Sequence, residues 1–272
     1  MRYLIVNADD YGLTEGVSRG ILQAHQVGIL TSTTFMVNFP WSESMAALLP
    51  EAPDLGVGIH LNITSGGPVL PPAKVPSLVD ARGQFGKGML HLLLQVDLEH
   101  LRREWMAQVE KGIGLLGRKP THLDTHRYLQ GHPGYARVMV EIARRYAIPA
   151  VRHLYPEMLP KGTFSPFNPV SYLMNHYLRR AAAVVDGSGV AHPDGTLVGD
   201  FDLPLLLHRL GQVGEGVTEL VSHPGIVDEA LRALSSLTTH REVELAALTA
   251  GEARQRLADA GIQLVTYAHL SR

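Results

Sequence analysis

The sequence predicts an α/β protein, a distorted (β/α) barrel with seven or eight strands. Short apolar runs alternate with longer amphipathic runs from one end of the chain to the other, which is typical of parallel strands covered by helices. The chain has 272 residues, and 45% of them are hydrophobic. Seven or eight strand–helix units in this length fit a closed barrel, since barrels of about 250 residues fold as one domain. We therefore expect residues 1–272 to form a single domain.

The elements follow in order from these runs. Residues 3–7 (YLIVN) predict a first buried strand, followed by a turn at 9–12. Thr14 is the expected N-cap of a helix that ends near Gly28, because apolar residues recur every three or four positions between them. Further strands are expected at 32–37, 55–61, 121–125, 148–152, 196–200, 218–222 and 262–267.

A long amphipathic helix is expected from about Asp97 to Leu116, where leucine, valine, isoleucine and tryptophan keep helical spacing. We interpret its apolar stripe as core packing. Two segments rich in glycine or proline, at about 64–88 and 155–169, do not favour regular elements and are expected to be long loops.

Composition limits the function classes. There are 24 Lys and Arg residues against 26 Asp and Glu, a net charge of −2. This balance lacks the basic excess of proteins that bind nucleic acid or anionic membranes, so neither is an expected partner. The apolar run at 3–7 is too short for a signal peptide, and no run approaches 18 apolar residues, which predicts a cytoplasmic protein.

The chain has 14 His residues and no Cys. The absence of Cys excludes disulfides, thiolate zinc sites and a cysteine nucleophile. Any catalytic metal ion must therefore be bound by His, Asp or Glu.

Reactive side chains occur at the carboxyl ends of five predicted strands, where barrel enzymes assemble their active sites. Each has an ordinary structural alternative: an Asp pair can be a solvated turn, a His at a strand end can be a hydrogen-bonded core residue, and His-Pro-Gly can be a turn. Their coincidence at one rim favours a functional site. The residues are Asp9, Asp10, His60, Asp124, His126, Arg152 and His223.

Two imidazoles and one carboxylate form a common ligand set for a catalytic divalent ion. The candidates are Asp10, His60 and His126. His122 would lie some 13 Å from His126 on the same strand, at ~3.3 Å per residue, so we interpret it as structural. Asp124 is expected either to hydrogen-bond a ligand or the substrate, or to be buried and paired.

Adjacent carboxylates in an irregular turn can point in different directions. One of the pair Asp9–Asp10 can then bind the metal ion while the other faces the water molecule that the ion makes acidic. His223, in the segment SHPG, has the chemistry to protonate a leaving group.

Five blocks of the sequence resemble the YdjC-type carbohydrate deacetylases, which include the chitooligosaccharide deacetylases. Residues 7–17 (NADDYGLTEGV) and 28–38 (GILTSTTFMVN) are similar to the opening of that family. The later blocks follow in order: 56–62 (GVGIHLN), 120–126 (PTHLDTH) and 222–228 (SHPGIVD). The chain departs from the family at Arg127–Gln130, where many relatives continue with further His, and at Ser222, where relatives often have Cys.

The resemblance implies a distorted barrel related to the polysaccharide deacetylases. The implied reaction is hydrolysis of an N-acetyl group from an acetylated amino sugar or short oligosaccharide, with release of acetate. By resemblance, Asp9 is the general base, and Asp10, His60 and His126 bind the metal ion. His223 is then the acid.

The resemblance also implies that Arg152 orients a carboxylate or contacts the substrate. The implied cofactor is a divalent metal ion, Mg²⁺ or Zn²⁺, and the family favours a homodimer. The loop at 64–88 is the expected place at which the length of the substrate is selected.

Two alternatives stay open on the sequence. A metal-dependent phosphoesterase or other hydrolase could use the same rim, with Arg127 and Arg152 as the cations that a phosphate needs. A sugar-binding protein could keep the fold without turnover, although binding alone does not require both a metal set and a spare base.

Overall fold

The computed structural model describes residues 1–155 and 169–271. They form two compact units, the first made of the described residues of Met1–Gly58 and Pro193–Arg272, and the second of those of Ile59–His192. The interior of the predicted loop at 155–169 lies outside the described residues. The expectation of one domain over residues 1–272 stays a prediction.

Eight strands are found among the described residues. In chain order they are β1 Arg2–Tyr11, β2 Ser32–Phe35, β3 Gly56–Leu61, β4 His122–Thr125, β5 Ala150–Val151, β6 Gly195–Leu197, β7 Gly216–Ser222 and β8 Ile262–Leu264.

The helices alternate with these strands. They are α1 Glu15–Val27, α2 Ser42–Ala46, α3 Met89–Leu94, α4 Leu98–Leu116, α5 Pro133–Arg145, α6 Pro169–Asp186, α7 Leu203–Leu210, α8 Glu229–Leu234, α9 Thr239–Thr249 and α10 Gly251–Asp259. Short 3₁₀ helices occur at Leu49–Glu51, Pro72–Lys74, His126–Gly131 and Tyr267–Ser271.

The strand pairs are parallel. In the first unit, β1 pairs with β2, β7 and β8, and β6 pairs with β7. In the second unit, the end of β3 pairs with β4, and β4 pairs with β5. The predicted fold class, an α/β fold of the distorted (β/α)-barrel type with seven or eight parallel strands, is confirmed. No helix of the described residues is both long and apolar enough to cross a membrane.

Capping residues determine where two of the helices begin and end. The hydroxyl of Thr14 accepts a hydrogen bond from the Val17 amide at 3.2 Å, so the predicted N-cap of α1 is confirmed. The carboxylate of Asp97 caps α4 in the same way, and Gly117 ends that helix with φ of 62°. Trp105 of α4 is fully buried, as its predicted role in the core requires.

The predicted turn at residues 9–12 is wrong at its start, because β1 continues to Tyr11. The pairing of β1 with β2 is interrupted between Ala8 and Tyr11 and then resumes, with Tyr11 opposite Phe35. Asp10 lies at the interruption with φ of 74°, a left-handed conformation that is uncommon for residues other than glycine. The acidic pair therefore lies on an irregular strand.

Candidate active site

Asp9 lies near the carboxyl end of β1 and is almost completely buried. Its Oδ1 accepts hydrogen bonds from Asn7 Nδ2 at 2.9 Å and from Thr34 Oγ1 at 3.3 Å. Its Oδ2 is 3.9 Å from Nε2 of His223. The two residues predicted as base and acid thus lie side by side in the first unit, and two neutral donors fix the orientation of the carboxylate.

Asp10 has different partners. Arg241 Nη2 donates to Asp10 Oδ2 at 2.6 Å, and both side chains are almost completely buried. The two adjacent carboxylates therefore have separate partners, Asn7 and Thr34 for Asp9 and Arg241 for Asp10. A buried guanidinium beside a buried carboxylate compensates a charge that burial would otherwise make costly.

His223 directly follows β7, and its backbone N–H donates to Glu244 Oε2. The hydroxyl of the preceding residue, Ser222, donates to the Asn7 carbonyl at 2.9 Å and so joins the end of β7 to β1. The His223 side chain is 23% exposed, whereas that of Asp9 is 4% exposed. The His223 side chain is therefore accessible to solvent, whereas its neighbour is shielded.

The segment after His223 packs closely against α1. A Cβ atom at Gly20 would lie 2.6 Å from the Cα of Gly225, closer than real Cβ contacts allow. The close approach of these two glycines sets the path of the chain after His223.

Glu244 lies on α9 and is buried. Its two oxygens accept from the backbone N–H groups of His223 and Phe201, the latter at 3.1 Å. Burial raises the pKa of the Glu244 carboxyl, and the charge of His223 opposes that shift. Glu244 is thus a positioning residue for the His223 backbone.

In the second unit, His60, Asp124 and Arg152 form a buried chain of contacts. His60 Nδ1 is 2.6 Å from Asp124 Oδ1, and Arg152 Nη1 is 2.7 Å from Asp124 Oδ2. A carboxylate oxygen accepts hydrogen bonds, so Nδ1 is the nitrogen of His60 that carries the hydrogen in its contact with Asp124. Nε2 is then the nitrogen with which His60 can bind an ion.

His126 follows β4 and begins a 3₁₀ helix. Its Nδ1 contacts Thr64 Oγ1 and lies 3.3 Å from Asn62 Oδ1. The Thr64 hydroxyl itself donates to Asn62 Oδ1 at 3.0 Å, so His126 Nδ1 is the donor in both contacts. Nε2 is therefore also the nitrogen with which His126 could bind an ion. Its ring centroid lies 5.6 Å from that of His60.

The two residues after His126 have left-handed backbone conformations. The φ angles are 56° at Arg127 and 54° at Tyr128. Such conformations in residues other than glycine cost energy and are found preferentially at functional sites. Arg127 and Tyr128 lie in the stretch 127–130, where the sequence departs from the family pattern described above.

The segment after β3 is fixed to α4. The backbone of Asn62 makes two hydrogen bonds with the Gln108 side chain. Its N–H donates to Gln108 Oε1 at 2.9 Å, and its carbonyl accepts from Gln108 Nε2 at 2.6 Å. Glu104 accepts from the backbone N–H groups of Val69 and Leu70 at 2.8 and 3.0 Å. Burial raises the pKa of the Glu104 carboxyl, which is fully enclosed. These contacts fix the beginning of the segment 64–88, in which a 3₁₀ helix, Pro72–Lys74, forms.

Two other histidines near these strands have structural contacts. His122 is fully buried, and its Nδ1 is 2.9 Å from Thr121 Oγ1. The Nδ1 atom of His132 accepts from the Gly134 amide at 3.2 Å and caps α5. Burial lowers the pKa of His132 below its ordinary value, which favours the neutral form that can accept this bond.

Sequence reasoning missed Arg241 and Glu244. Both are charged yet buried, and with Leu245 and Leu248 they form one face of α9. A charged residue at a buried helical position was the signal available, since such residues need partners. Their partners, Asp10 and the His223 backbone, are distant in sequence, so the pattern of the helix alone does not identify them.

Comparisons with known proteins give consistent results. The family of YdjC-like proteins matches residues 3–259. A carbohydrate deacetylase of Thermoanaerobacter pseudethanolicus is 36% identical over 272 residues, which cover 99% of this chain and 100% of the relative. A chitooligosaccharide deacetylase of Proteus mirabilis is 33% identical over 274 residues, which cover 98% of each chain.

A solved structure is similar over the full length. It is the crystal structure of a protein from Enterococcus faecalis V583 that is named as a candidate cellobiose-phosphate cleavage protein. The TM-score is 0.84 at 30% sequence identity, and the similarity covers 100% of this chain and 99% of that one.

Proposed function

Because the chain belongs to the family of YdjC-like proteins, we propose that it is a carbohydrate deacetylase, a hydrolase that acts on the amide bond of acetylated amino sugars or short oligosaccharides. Relatives named as carbohydrate or chitooligosaccharide deacetylases cover almost the whole chain, which supports this activity. The observation that carries the chemistry is the pair formed by Asp9 and His223, with a carboxylate oxygen 3.9 Å from an imidazole nitrogen.

We further propose that the enzyme depends on a divalent metal ion bound by Asp10, His60 and His126. The two imidazoles suit this role, because the Nδ1 atom of each is engaged by an oxygen atom, which makes Nε2 the candidate ligand atom of each ring. Asp10 accepts from Arg241 through Oδ2, so its Oδ1 would be the ligand atom. Of the two ions that the family resemblance implies, Zn²⁺ suits two imidazoles better than Mg²⁺, which prefers oxygen ligands. When bound, such an ion supplies Lewis-acid chemistry, since it polarises a carbonyl and makes water acidic near neutral pH.

The protein side chains would move the protons. Asp9 accepts a proton from the water molecule whose oxygen attacks the acetamide carbonyl carbon. His223 Nε2 donates a proton to the sugar nitrogen as the carbon–nitrogen bond breaks, and the products are acetate and a free amine. Asn7 and Thr34 hold the carboxylate of Asp9 in one orientation during this exchange.

Asp124 and Arg152 would act through His60. Asp124 holds the ring of His60 and Arg152 compensates the charge of Asp124, so we assign both to positioning. In this arrangement the Arg152 guanidinium is engaged in the protein interior. The Arg152 guanidinium therefore gives little support to a phosphate-binding role, and so to the phosphoesterase alternative. Cytoplasmic location and a homodimer stay predictions from the sequence.

Acetate release from a panel of acetylated substrates tests the proposed function. The panel contains N-acetylglucosamine, its β-1,4-linked dimer and trimer, an O-acetylated sugar and a phosphorylated disaccharide, each with added Zn²⁺ or Mg²⁺. We expect acetate and one equivalent of free amine from at least one N-acetylated sugar. Phosphate release without acetate would favour the phosphoesterase, and sugar binding without either product would favour the non-catalytic alternative.

A further inference from the structure

A second group of metal-ligating side chains lies apart from the residues assigned to deacetylation. His153, Asp186 and His192 each offer one ligand atom, and these atoms all lie within 4.8 Å of one another. All three residues belong to the second unit. The mechanism proposed above uses none of them.

The backbone holds these residues in place. His153 lies two residues after the end of β5, and Asp186 is the last residue of α6. The residue before His192, Ala191, forms a parallel bridge with Ala150 of β5. In that bridge, the Val151 amide donates to the Ala191 carbonyl at 2.9 Å, which fixes the chain at the third ligand.

His153 and Arg152 are adjacent but have separate partners. Successive side chains of an extended chain point to opposite sides. Arg152 contacts Asp124, whereas His153 contacts Asp186. The second group therefore does not share side chains with the set of His60, Asp124 and Arg152.

The distances within the group suit one small ion. Asp186 Oδ1 is 2.9 Å from His153 Nε2 and 3.7 Å from His192 Nε2. Zn²⁺ binds imidazole nitrogen and carboxylate oxygen at ~2.0–2.2 Å, which puts tetrahedral ligands roughly 3.3–3.5 Å apart. These two separations lie on either side of that range, and all three ligand atoms lie within 4.8 Å of one another, so we expect small side-chain rotations to admit the ion.

Tyr155 supports both imidazoles. Its hydroxyl is 3.2 Å from Nδ1 of His192, and its ring stacks on that of His153 with centroids 3.8 Å apart and planes 11° from parallel. Histidines that bind metal ions through one nitrogen usually donate the other N–H to an oxygen acceptor, and Tyr155 can accept that bond from His192.

Solvent can reach the group from one side. His153 is fully buried, whereas the side chain of Asp186 is 55% exposed and that of His192 is 23% exposed. An ion can therefore enter on the side of Asp186, and water can complete its coordination as the fourth ligand.

We propose that His153, Asp186 and His192 form a second metal site, which binds a divalent transition-metal ion such as Zn²⁺ with Tyr155 supporting the two histidines. Two imidazoles and one carboxylate favour Zn²⁺, Co²⁺ or Ni²⁺ over Mg²⁺ and Ca²⁺, which prefer oxygen ligands. This site is independent of the proposed function. The ion would connect the end of β5, the end of α6 and the bridge at Ala191, and would thereby stabilise this part of the second unit.

Zinc titration of the chelator-stripped full-length protein tests the proposal, with bound metal measured after equilibrium dialysis. The proteins compared are the wild type, Asp186→Asn, His192→Gln, His126→Ala and the His126→Ala/His192→Gln double variant. His176→Gln is the matched control, because His176 is an exposed imidazole on the same helix as Asp186.

We expect Asp186→Asn and His192→Gln each to lose one equivalent of zinc relative to the wild type, and His176→Gln to lose none. His126→Ala should keep the equivalent that His192→Gln removes. If the wild type binds one equivalent and His192→Gln abolishes it, the second site is supported while the metal set proposed for catalysis is not.

If zinc stoichiometry and affinity are unchanged in both Asp186→Asn and His192→Gln, the second site is overturned whatever happens at His126. A crystal soaked with Zn²⁺ gives an independent reading. An anomalous peak between these three side chains supports the site, and a zinc-loaded crystal that lacks this peak rejects it. Comparing the thermal unfolding of the variants without metal controls for a loss of folding.

Discussion

His60 and Asp124 are joined by a buried contact of 2.6 Å between Nδ1 and Oδ1, which fixes the ring of His60 and makes Nε2 the nitrogen that could bind an ion. Arg152 holds the other oxygen of Asp124 at 2.7 Å. Replacing the carboxylate with an amide should therefore change metal binding even though Asp124 is not proposed as a ligand. Removal of such a supporting partner typically weakens metal affinity by about 10–100-fold.

The variant Asp124→Asn measures this effect. We expect weaker zinc binding in competition with a chelator, and lower stability in urea because Arg152 is left buried without its counter-ion, a loss of roughly 3–5 kcal/mol for a broken buried pair. Asp54→Asn, an exposed substitution, is the control. Wild-type zinc affinity in folded Asp124→Asn would contradict the role assigned to Asp124.

Asp9→Asn tests the general base. The amide oxygen can still accept from Asn7 and Thr34, so the fold and bound metal should be kept while the proton acceptor is lost. We expect kcat for acetate release to fall by roughly 10²–10⁴, the usual contribution of a positioned base. Metal content is measured in the same preparation. Unchanged turnover would reject the assignment of Asp9.

Asp10 and Arg241 should be energetically coupled, because removing either side chain leaves its partner charged and buried. Arg241→Met and Asp10→Asn should each destabilise the protein, with Arg241→Met costing about 3–5 kcal/mol. The double variant should be more stable than the sum of the single changes predicts, and urea unfolding of all four proteins measures this coupling. Additive losses would show that the pair does not act as a unit.

Local features of the fold were predictable from sequence. A capping residue and the helix it starts lie within a few positions, which is why Thr14 and the helix beginning after Asp97 could be identified. The continuation of β1 to Tyr11 could not, because it depends on pairing with Phe35 on another strand. An Asp pair followed by Tyr-Gly reads as a turn when only its neighbours are considered.

The candidate site divides in the same way. Asp9, Asp10, His60, His126 and His223 could be proposed because they end predicted strands and match family blocks. The contact between Arg241 and Asp10 joins positions 231 residues apart, and no local pattern specifies it. For Asp124 the sequence left two alternatives, supporting a ligand or being buried and paired. Its contacts with His60 and Arg152 agree with both.

Glu104 provides a prediction about pH. Burial raises the pKa of its carboxyl above the ordinary value of 4.5, so the folded protein binds this proton more tightly than the unfolded chain does. Stability from this group is fully present below about pH 4.5 and is lost as the pH rises through the folded pKa. Glutamine at this position does not titrate. The unfolding free energy of the wild type relative to Glu104→Gln should therefore decrease as the pH is raised from 4.5.

Glu104→Gln should also be less stable at pH 7 by about 1–3 kcal/mol. The glutamine NH₂ group would replace a carboxylate oxygen that accepts from the backbone N–H of Val69 or Leu70, so one of these N–H groups would face a donor.

Glu99→Gln on the same helix is the matched control, because the stability from Glu99 should change with pH in the opposite direction. Hydrogen bonds from Arg102 and Arg103 lower the pKa of the exposed Glu99, so its contribution is present above pH 4.5 and is lost as the pH falls. Urea unfolding of the three proteins between about pH 3 and 7.5 checks both trends, that of Glu99 below pH 4.5 and that of Glu104 above it. A wild-type advantage over Glu104→Gln that grows with pH would mean that the burial of Glu104 does not oppose its ionisation, and that its hydrogen bonds to the segment 64–88 dominate instead.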